Sequence, residues 1–581
     1  MNALKYLNKY LLKYKGRLLF GVICIVATNI FGVMMPKVVG DAVNGFKVDV
    51  SNGLESNEIL WNALIVAGFY MILNIGKGIF LFLTRQSIIV MSRLIEYDLK
   101  NEIYAHYQKL DFGFYKKNKI GDLMNRVSED VTQVRQYLGP GLMYNINLIV
   151  LFPMCIYSMM QTNVKLTLMV LIPLPLLSFI IYKVSSKINF ASKKVQEQQS
   201  HISTIVQENF SGIRILKAYS REDESKQRFD NSAQEYKKRT MKMVLIDALF
   251  MPAITFLISL SVLIAIYVGG LMTFTGEIEV GDIIAYIMYI NMLTWPFASV
   301  GWVTSIIQRA AASQERINEF LKFEPEIVNT VHEPFAEIKT IELKDVSFTY
   351  ENSGITALKN LNFTIHKGEK IGIVGKTGSG KSSILYLLTR QFDATNGTVL
   401  INNTPIQNIN LDAYRRKFGV VPQEVFLFSD WIRNNLTFGI NDREVSEDEL
   451  VTATKQAHVY HNIQRFTDKF ETELGERGVN LSGGQKQRIS IARALIRQPE
   501  LLLLDDCLSA VDTETEERIL KAMEELHQTV VIVSHRISSL RFVDKIIVLK
   551  DGEIAEMGTH EELLEQKGIF FEMHQKQMLE E

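Results

Sequence analysis

Six apolar stretches divide the N-terminal half of the chain. Residues 18–36 and 59–76 carry no charge, and the second continues past Lys77 to Leu83. Residues 136–164 are charge-free between Arg135 and Lys165, and residues 166–182 are short but uncharged. Residues 248–276 lie between Asp247 and Glu277, and residues 283–308 between Asp282 and Arg309. A bilayer core of ~30 Å takes about 20 apolar residues in helix, with ~17 as the working minimum. Soluble helices of this length need a polar face. The pattern therefore predicts six transmembrane helices rather than a large soluble core.

The segments between spans two and three and between spans four and five, about 50 and 65 residues, exceed simple connectors. Residues 91–110 and 191–207 mix charged and apolar positions at helical spacing, so the spans continue as helices beyond the membrane. Each extension is interrupted by a predicted turn, at residues 113–121 and 212–222. Lys and Arg crowd these two segments and the N-terminal lead. A lone Lys165 separates spans three and four, and only Glu277, Glu279 and Asp282 separate spans five and six. Positive loops stay in the cytoplasm, which places both termini there. No small-residue cleavage site follows Met34-Met35-Pro36-Lys37, so the first span is not a signal peptide. Pro325 and Pro334 mark residues 323–337 as a linker. Short apolar runs between helical patterns then predict an α/β domain over residues 338–581.

Composition sharpens this picture at two points. Lys+Arg (63) and Asp+Glu (64) nearly cancel, which argues against a nucleic-acid-binding protein. Cys24, Cys155 and Cys507 are far apart and lack CxxC spacing, so neither a disulfide framework nor a zinc site is indicated.

The chemistry lies in the second half. Gly375-Lys376-Thr377-Gly378-Ser379-Gly380-Lys381-Ser382, followed by Ser383, fits GxxxxGK[ST] between a predicted strand, residues 371–374, and a predicted helix, residues 382–388. The glycines let backbone N–H groups turn toward phosphates at a helix N-terminus. Lys381 is placed for the β/γ-phosphates and the Ser382 hydroxyl for Mg²⁺. A second strand, residues 501–504, ends in Asp505-Asp506, and Asp505 is the expected Mg²⁺ partner, directly or through water. Leu481-Ser482-Gly483-Gly484-Gln485 opens another predicted helix, residues 485–496, with Ser482 as N-cap, and forms a second anion-binding surface.

These motifs resemble the nucleotide-binding domain of ATP-binding cassette (ABC) transporters, of which LSGGQ is the most specific signature. The resemblance implies further roles, in chain order. Tyr350 resembles the aromatic that stacks on adenine. Gln423, in Val421-Pro422-Gln423, resembles the glutamine near Mg²⁺ and the attacking water. Thr472-Glu473-Leu474-Gly475-Glu476-Arg477-Gly478 resembles the exporter-type loop that meets the membrane domain. Ser509-Ala510-Val511-Asp512 resembles the D-loop, and His535 the switch histidine on the γ-phosphate. Residues 112–126 with Glu129-Asp130, and residues 209–221, resemble the family's two cytoplasmic tips. Six spans ahead of one cassette is the exporter half-transporter layout. The expected fold is a six-helix transmembrane bundle with long cytoplasmic extensions (1–322), a linker (323–337) and an α/β P-loop domain (338–581). The resemblance also implies a dimer. In it ATP lies between one chain's P-loop and the other's Ser482, Gly483, Gly484 and Gln485, while the catalytic set is Asp506, His535 and Gln423 and the metal set Ser382, Gln423 and Asp505.

One position departs from the family pattern. The residue after the Mg²⁺-binding Asp is usually Glu, which polarises the attacking water, and here it is Asp506. Removing a methylene withdraws the carboxylate by roughly 1.5 Å, and a displacement of ~1 Å can cost ~100-fold. The expectation is a chain whose own site binds ATP and hydrolyses it slowly. A heterodimer whose partner supplies the Glu is favoured over a homodimer.

The expected function is ATP-driven export of lipophilic drugs, lipids or peptides across the cytoplasmic (inner) membrane of a bacterium. The alternatives are a largely non-hydrolysing regulatory half and an importer of exporter architecture. Within the spans, Lys77 and Asn74 either face a cavity or reach for the headgroups. Asn29, Asn145, Asn147, Asn291, Tyr286, Tyr289 and Trp295 are candidates for the pathway lining, with helix-to-helix hydrogen bonds as the alternative.

Overall fold

The computed structural model describes residues 2–440 and 443–580. The chain divides into two compact units, Met1–Gln108 with Ile120–Phe323, and Lys109–Lys119 with Glu324–Glu581.

The first unit is built mainly from long helices: α1 (Lys15–Ser51), α2 (Ser56–Lys109) and, after the tip helix α3 (Phe112–Lys117), which itself belongs to the second unit, α4 (Leu142–Thr162), α5 (Pro173–Ser211), the short α6 (Ile213–Ala218), α7 (Glu222–Ala248), α8 (Phe250–Phe274) and α9 (Val280–Leu321). Among the described residues, five helical stretches are long and apolar enough to cross a membrane: Lys15–Ser51, Ser56–Lys109, Ile120–Thr162, Glu222–Phe274 and Val280–Leu321. The fourth expected stretch, residues 166–182, is divided at Ile172 between a short helix, Val164–Leu171, and α5. Pro173 and Pro175 supply no backbone N–H to carry the ladder across that point. The helical extensions are present, since α2 and α5 run through residues 91–109 and 191–207. The two interruptions differ from the expected turns, because each contains a short helix, α3 and α6. In α3 the Asp111 carboxylate accepts from the Phe114 N–H at 3.0 Å, which caps the helix start.

Small residues and polar pairs hold these helices together, as expected where lipid supplies no hydrophobic drive. A Cβ on Gly21 of α1 would come 2.5 Å from Ile88 of α2, and one on Gly40 would come 2.7 Å from the Gly281 carbonyl of α9. The Gly281 N–H donates to Asn44 Oδ1 at 2.7 Å. Asn29 donates to Asn147 at 3.0 Å, Tyr289 to the Val33 carbonyl at 3.0 Å, and Tyr286 to the Met159 carbonyl at 2.7 Å. These four candidates for the pathway thus tie helix to helix. Asn74, Asn145 and Asn291 return to carbonyls of their own helical turns, while Trp295 is exposed. Lys77 lies along α1, its Cε 3.7 Å from where a Gly32 Cβ would stand, on the side of α2 that buries Leu73 and Thr84.

Among the described residues, the second unit contains two sheets. β1 (Thr340–Tyr350), β2 (Ile355–His366), β4 (Asn396–Ile401) and β5 (Thr404–Pro405) form an antiparallel sheet in the order β2-β1-β4-β5. The other has six strands in the order β10-β9-β3-β8-β7-β6: β3 (Lys370–Gly375), β6 (Phe418–Val421), β7 (Leu501–Asp505), β8 (Thr529–Val533), β9 (Lys545–Lys550) and β10 (Glu553–Gly558). Its strands β6, β7, β8, β3 and β9 pair in parallel, and β10 closes one edge antiparallel. All five residues of β7 and of β8 are buried, as continuous apolar runs in parallel sheets require. Residues 323–339 carry neither helix nor strand.

Candidate functional site

The site grows from the C-terminal ends of three adjacent parallel strands. The registers β3–β8 (Ile373↔Val533) and β7–β8 (Asp505↔Val533) bring the ends of β3, β7 and β8 level, the edge where open α/β sheets bind ligands. From β3 the loop turns into helix α10 (Lys381–Leu388) through Gly378 and Gly380, at φ +84° and +99°. Those angles favour glycine. A Cβ on Gly375 would meet the Ser379 hydroxyl at 2.6 Å, so position 375 has no room for a side chain. Ser379 Oγ is buried there with no hydrogen-bond partner, and an unpartnered buried hydroxyl asks for a ligand.

Lys381 is buried and donates to the Gly375 and Lys376 carbonyls at 2.8 and 2.9 Å. Burial lowers its pKa, against the opposing pull of Asp506 and Asp505. The Ser382 hydroxyl donates to Asp505 Oδ1 at 3.0 Å. Burial raises the pKa of Asp505, and the Ser382 hydrogen bond works against that rise. A hydroxyl and a carboxylate oxygen at this spacing, beside an unpartnered hydroxyl and a backbone cradle, suit a hard cation that also holds phosphate. Among the described residues no group of three His, Cys, Asp or Glu side chains forms a metal site by itself. A cation here would therefore take its remaining ligands from phosphate and water.

Asp506 follows at φ +44°, its N–H donating to the Val533 carbonyl at 2.9 Å. That bond fixes the backbone from which its short side chain projects. His535 stands two residues past the end of β8. Burial, then the nearby Lys381 charge, lowers its pKa, while Asp506 and Asp505 pull the other way. Gln423 is exposed on the loop after β6. The structure thus gathers Lys381, Ser382, Asp505, Asp506 and His535 at one sheet edge.

Ser482 caps α11 (Gly483–Leu495) in a capping box, accepting from the Gln485 N–H at 3.3 Å, while its own N–H donates to Gln485 Oε1 at 3.0 Å. The helix starts where its N-cap was expected. Gln487 Nε2 donates to the Ser509 hydroxyl at 3.4 Å and its Oε1 accepts from the Ala510 N–H at 3.1 Å, which docks the D-loop on the signature helix. Tyr350, at the end of β1, shares a hydrogen bond with the Ser383 hydroxyl at 2.9 Å. Two participants escape sequence reading. Gln577, on the C-terminal helix α13 (Ile569–Glu580) after α12 (Thr513–Glu524), donates to the His535 carbonyl at 2.5 Å and accepts from the Ile537 N–H at 2.8 Å. Lys116 stands over the Tyr350 ring, 5.3 Å from its centroid. Neither belongs to a local motif, so only the tertiary fold reveals them.

The family model described as ABC transporter transmembrane region matches residues 18–297, and that described as ABC transporter matches residues 358–509. The second includes the P-loop, Gln423, the signature, Asp505 and Asp506, and leaves Tyr350 and His535 outside it. The chain is 34% identical to a probable multidrug resistance ABC transporter ATP-binding/permease protein, YheI, of Bacillus subtilis, over 100% of this chain and 98% of that one. It is 33% identical to the multidrug resistance-like ATP-binding protein MdlA of Escherichia coli, over 100% and 97%. It is 29% identical to an ATP-dependent lipid A-core flippase of Syntrophus aciditrophicus, over 100% and 95%. A solved bacterial Atm1-family ABC exporter with ATP bound shares its fold, with a TM-score of 0.77 at 23% identity over 97% and 98% of the two chains.

Proposed function

The chain belongs to the ABC transporter family, as an ATP-driven exporter half-transporter with its transmembrane region and ATPase domain in one polypeptide, and from that premise we propose that it is the slowly hydrolysing half of a heterodimer. The observation that carries this reading is Asp506, the residue beyond the Ser382–Asp505 pair, where the family pattern has Glu. With its backbone tied to Val533, the chain cannot advance to compensate for the missing methylene. The partner's site is completed by this chain's Ser482, Gly483, Gly484 and Gln485.

Each residue has a distinct task at the substrate ATP. Tyr350 stacks the base. The N–H groups of residues 375–383 and the Ser379 hydroxyl hold the phosphates. Lys381 exchanges its two carbonyl partners for β- and γ-phosphate oxygens. Ser382 and Asp505, with Gln423 near, would hold Mg²⁺, which would supply charge neutralisation at the phosphates. Asp506 orients the attacking water from too far back, and His535 donates to the γ-phosphate. ATP favours the closed pair of cassettes by its higher affinity for that state. Closure moves the cytoplasmic tips and turns the bundle outward. The cargo class is lipophilic drugs or lipids, supported by the similarity to a probable multidrug resistance transporter and a lipid A-core flippase. Both termini are cytoplasmic.

The test is turnover in proteoliposomes. Asp506→Glu is expected to raise ATP hydrolysis by this chain alone about 10- to 100-fold. Vigorous drug-stimulated hydrolysis by the unaltered chain alone would overturn the heterodimer.

A further inference from the structure

The segment Lys109–Lys119 belongs by its contacts to the unit that carries the nucleotide site, and Lys116 stands out in it. Its ammonium lies 4.5 Å from the Tyr386 ring centroid, 5.2 Å from Phe112, 5.3 Å from Tyr350 and 5.7 Å from Phe392. All four distances fall within cation–π range. Burial lowers its pKa, and no side-chain hydrogen bond or ion pair of Lys116 contributes to that shift. Lys117 instead takes the carboxylates, Glu326 at 3.1 Å and Glu351 at 3.0 Å. Adjacent lysines of one short helix thus divide the work, one on acids and one on rings.

Two of the rings Lys116 engages are tied to the helix that follows the phosphate loop. Tyr350 is hydrogen-bonded to Ser383, and Tyr386 lies on α10, one helical turn beyond Ser382. Phe392 packs edge-on against Tyr350 at 5.7 Å and against Phe112 of the tip at 5.8 Å. A cleft of about 560 Å³ opens beside them, lined in part by Lys116, Tyr350, Glu351, Gln391 and Phe392. Gln391 Oε1 is buried without a partner. At its other end the tip is covalently continuous with α2, a single helix of 54 residues that includes the second apolar stretch.

We infer that Lys116 is a positioning residue for the nucleotide: by seating on Tyr350 and Tyr386 together it fixes the base platform against the phosphate helix, and it passes base occupancy to the end of α2. This rests on the reading of Tyr350 as the base platform. The coupling is reciprocal, so whatever ATP does to the seating of the tip, the tip does to ATP affinity.

The test uses the full chain, with its partner half where the two purify together, in lipid nanodiscs with Mg²⁺. Binding of a fluorescent ATP analogue is titrated for the wild type, Lys116→Met, Lys116→Arg, Tyr350→Leu and the double variant Lys116→Met/Tyr350→Leu. A second readout is maleimide labelling of Lys119→Cys with and without ATP, the native cysteines all being buried. Lys116→Met is expected to weaken binding about three- to tenfold and Lys116→Arg to restore it, since a guanidinium stacks on the same rings. The double variant should bind no more weakly than Tyr350→Leu alone, because the two residues act as one unit. ATP should slow labelling at position 119 in the wild type and not in Lys116→Met. If Tyr350→Leu leaves affinity unchanged, the base-platform reading fails. If Tyr350→Leu weakens binding while Lys116→Met alters neither affinity nor labelling, or if the two effects simply add, the role of Lys116 is overturned.

Discussion

The Ser382 hydroxyl and the Asp505 carboxylate meet at 3.0 Å across the gap between α10 and the end of β7. The two side chains proposed to hold Mg²⁺ come from distant parts of the sequence and are already in register. Replacing Ser382 with Ala should weaken Mg²⁺-supported ATP binding about tenfold or more, by removing one oxygen ligand. It should change binding in excess chelator far less. Paired titrations of ATP with and without Mg²⁺ check this, and equal losses in both would count against a metal role for Ser382.

Asp505 also predicts a pH dependence. Burial raises its pKa, so its carboxylate takes up a proton at a higher pH than an exposed aspartate does. A protonated Asp505 is a poor ligand. Mg²⁺-supported binding should therefore weaken on acidification and recover on return to neutral pH, and Asp505→Asn should be weak throughout. Titrations from pH 7.5 down to about pH 5 should show the acid limb in the wild type only.

His535 works in the opposite charge sense. Its folded-state pKa lies below that of an unfolded histidine, chiefly through burial and then through Lys381. The folded state thus prefers the neutral ring. That contribution is fully present above the unfolded value of about 6.5 and is lost as pH falls through the folded value. His458, His461 and His560 are shifted the same way, so only a difference isolates His535. Melting of His535→Gln should lose less on acidification from pH 8 to about pH 5.5 than the wild type does.

The phosphate cradle, the acidic strand end and the signature N-cap were legible because each depends on spacing within a few residues. Gly378 and Gly380 take the left-handed angles that a phosphate loop needs, and Ser482 caps the helix its position foretold. The membrane spans were legible as helices, but not all of their limits were. The first apolar stretch ends at Pro36, whereas α1 continues to Ser51, because hydropathy reports the lipid and the hydrogen-bond ladder extends beyond it. Both tips were expected as turns, since Gly113 and Gly212 suggest them, but Asp111 caps a helix around the first glycine. Lys116 over Tyr350 and Gln577 against His535 join residues 234 and 42 positions apart (350−116 and 577−535). No local pattern announces such pairs.

Close approach of α1 and α9 makes a prediction about the membrane unit. A methyl on Gly281 would run into Asn44 Oδ1 at 2.6 Å and into the Gly40 carbonyl. Gly281→Ala should therefore part the two helices and strain the Gly281–Asn44 hydrogen bond, at a cost of ~1–3 kcal/mol. Gly45→Ala on α1, where nothing lies within 4 Å, is the control. Thermal melting in detergent should fall clearly for the first and stay level or rise for the second.

Gln577 offers the sharpest separation of binding from turnover. Its amide brackets the switch segment, donating to the His535 carbonyl at 2.5 Å and accepting from the Ile537 N–H at 2.8 Å. Neither contact touches a phosphate position, so its removal should leave ATP affinity nearly unchanged. It should free the His535 backbone, and a displacement of ~1 Å at a reacting centre can cost ~100-fold in rate. Gln577→Leu should therefore lower kcat about tenfold or more with little change in KM. Gln577→Glu keeps the acceptor for Ile537 but sets a carboxylate oxygen against the His535 carbonyl, and should lose activity as well. The measurement belongs in the Asp506→Glu background, where this chain's own site carries the turnover. An unchanged kcat there, or a loss confined to KM, would show that the C-terminal helix does not position the switch histidine.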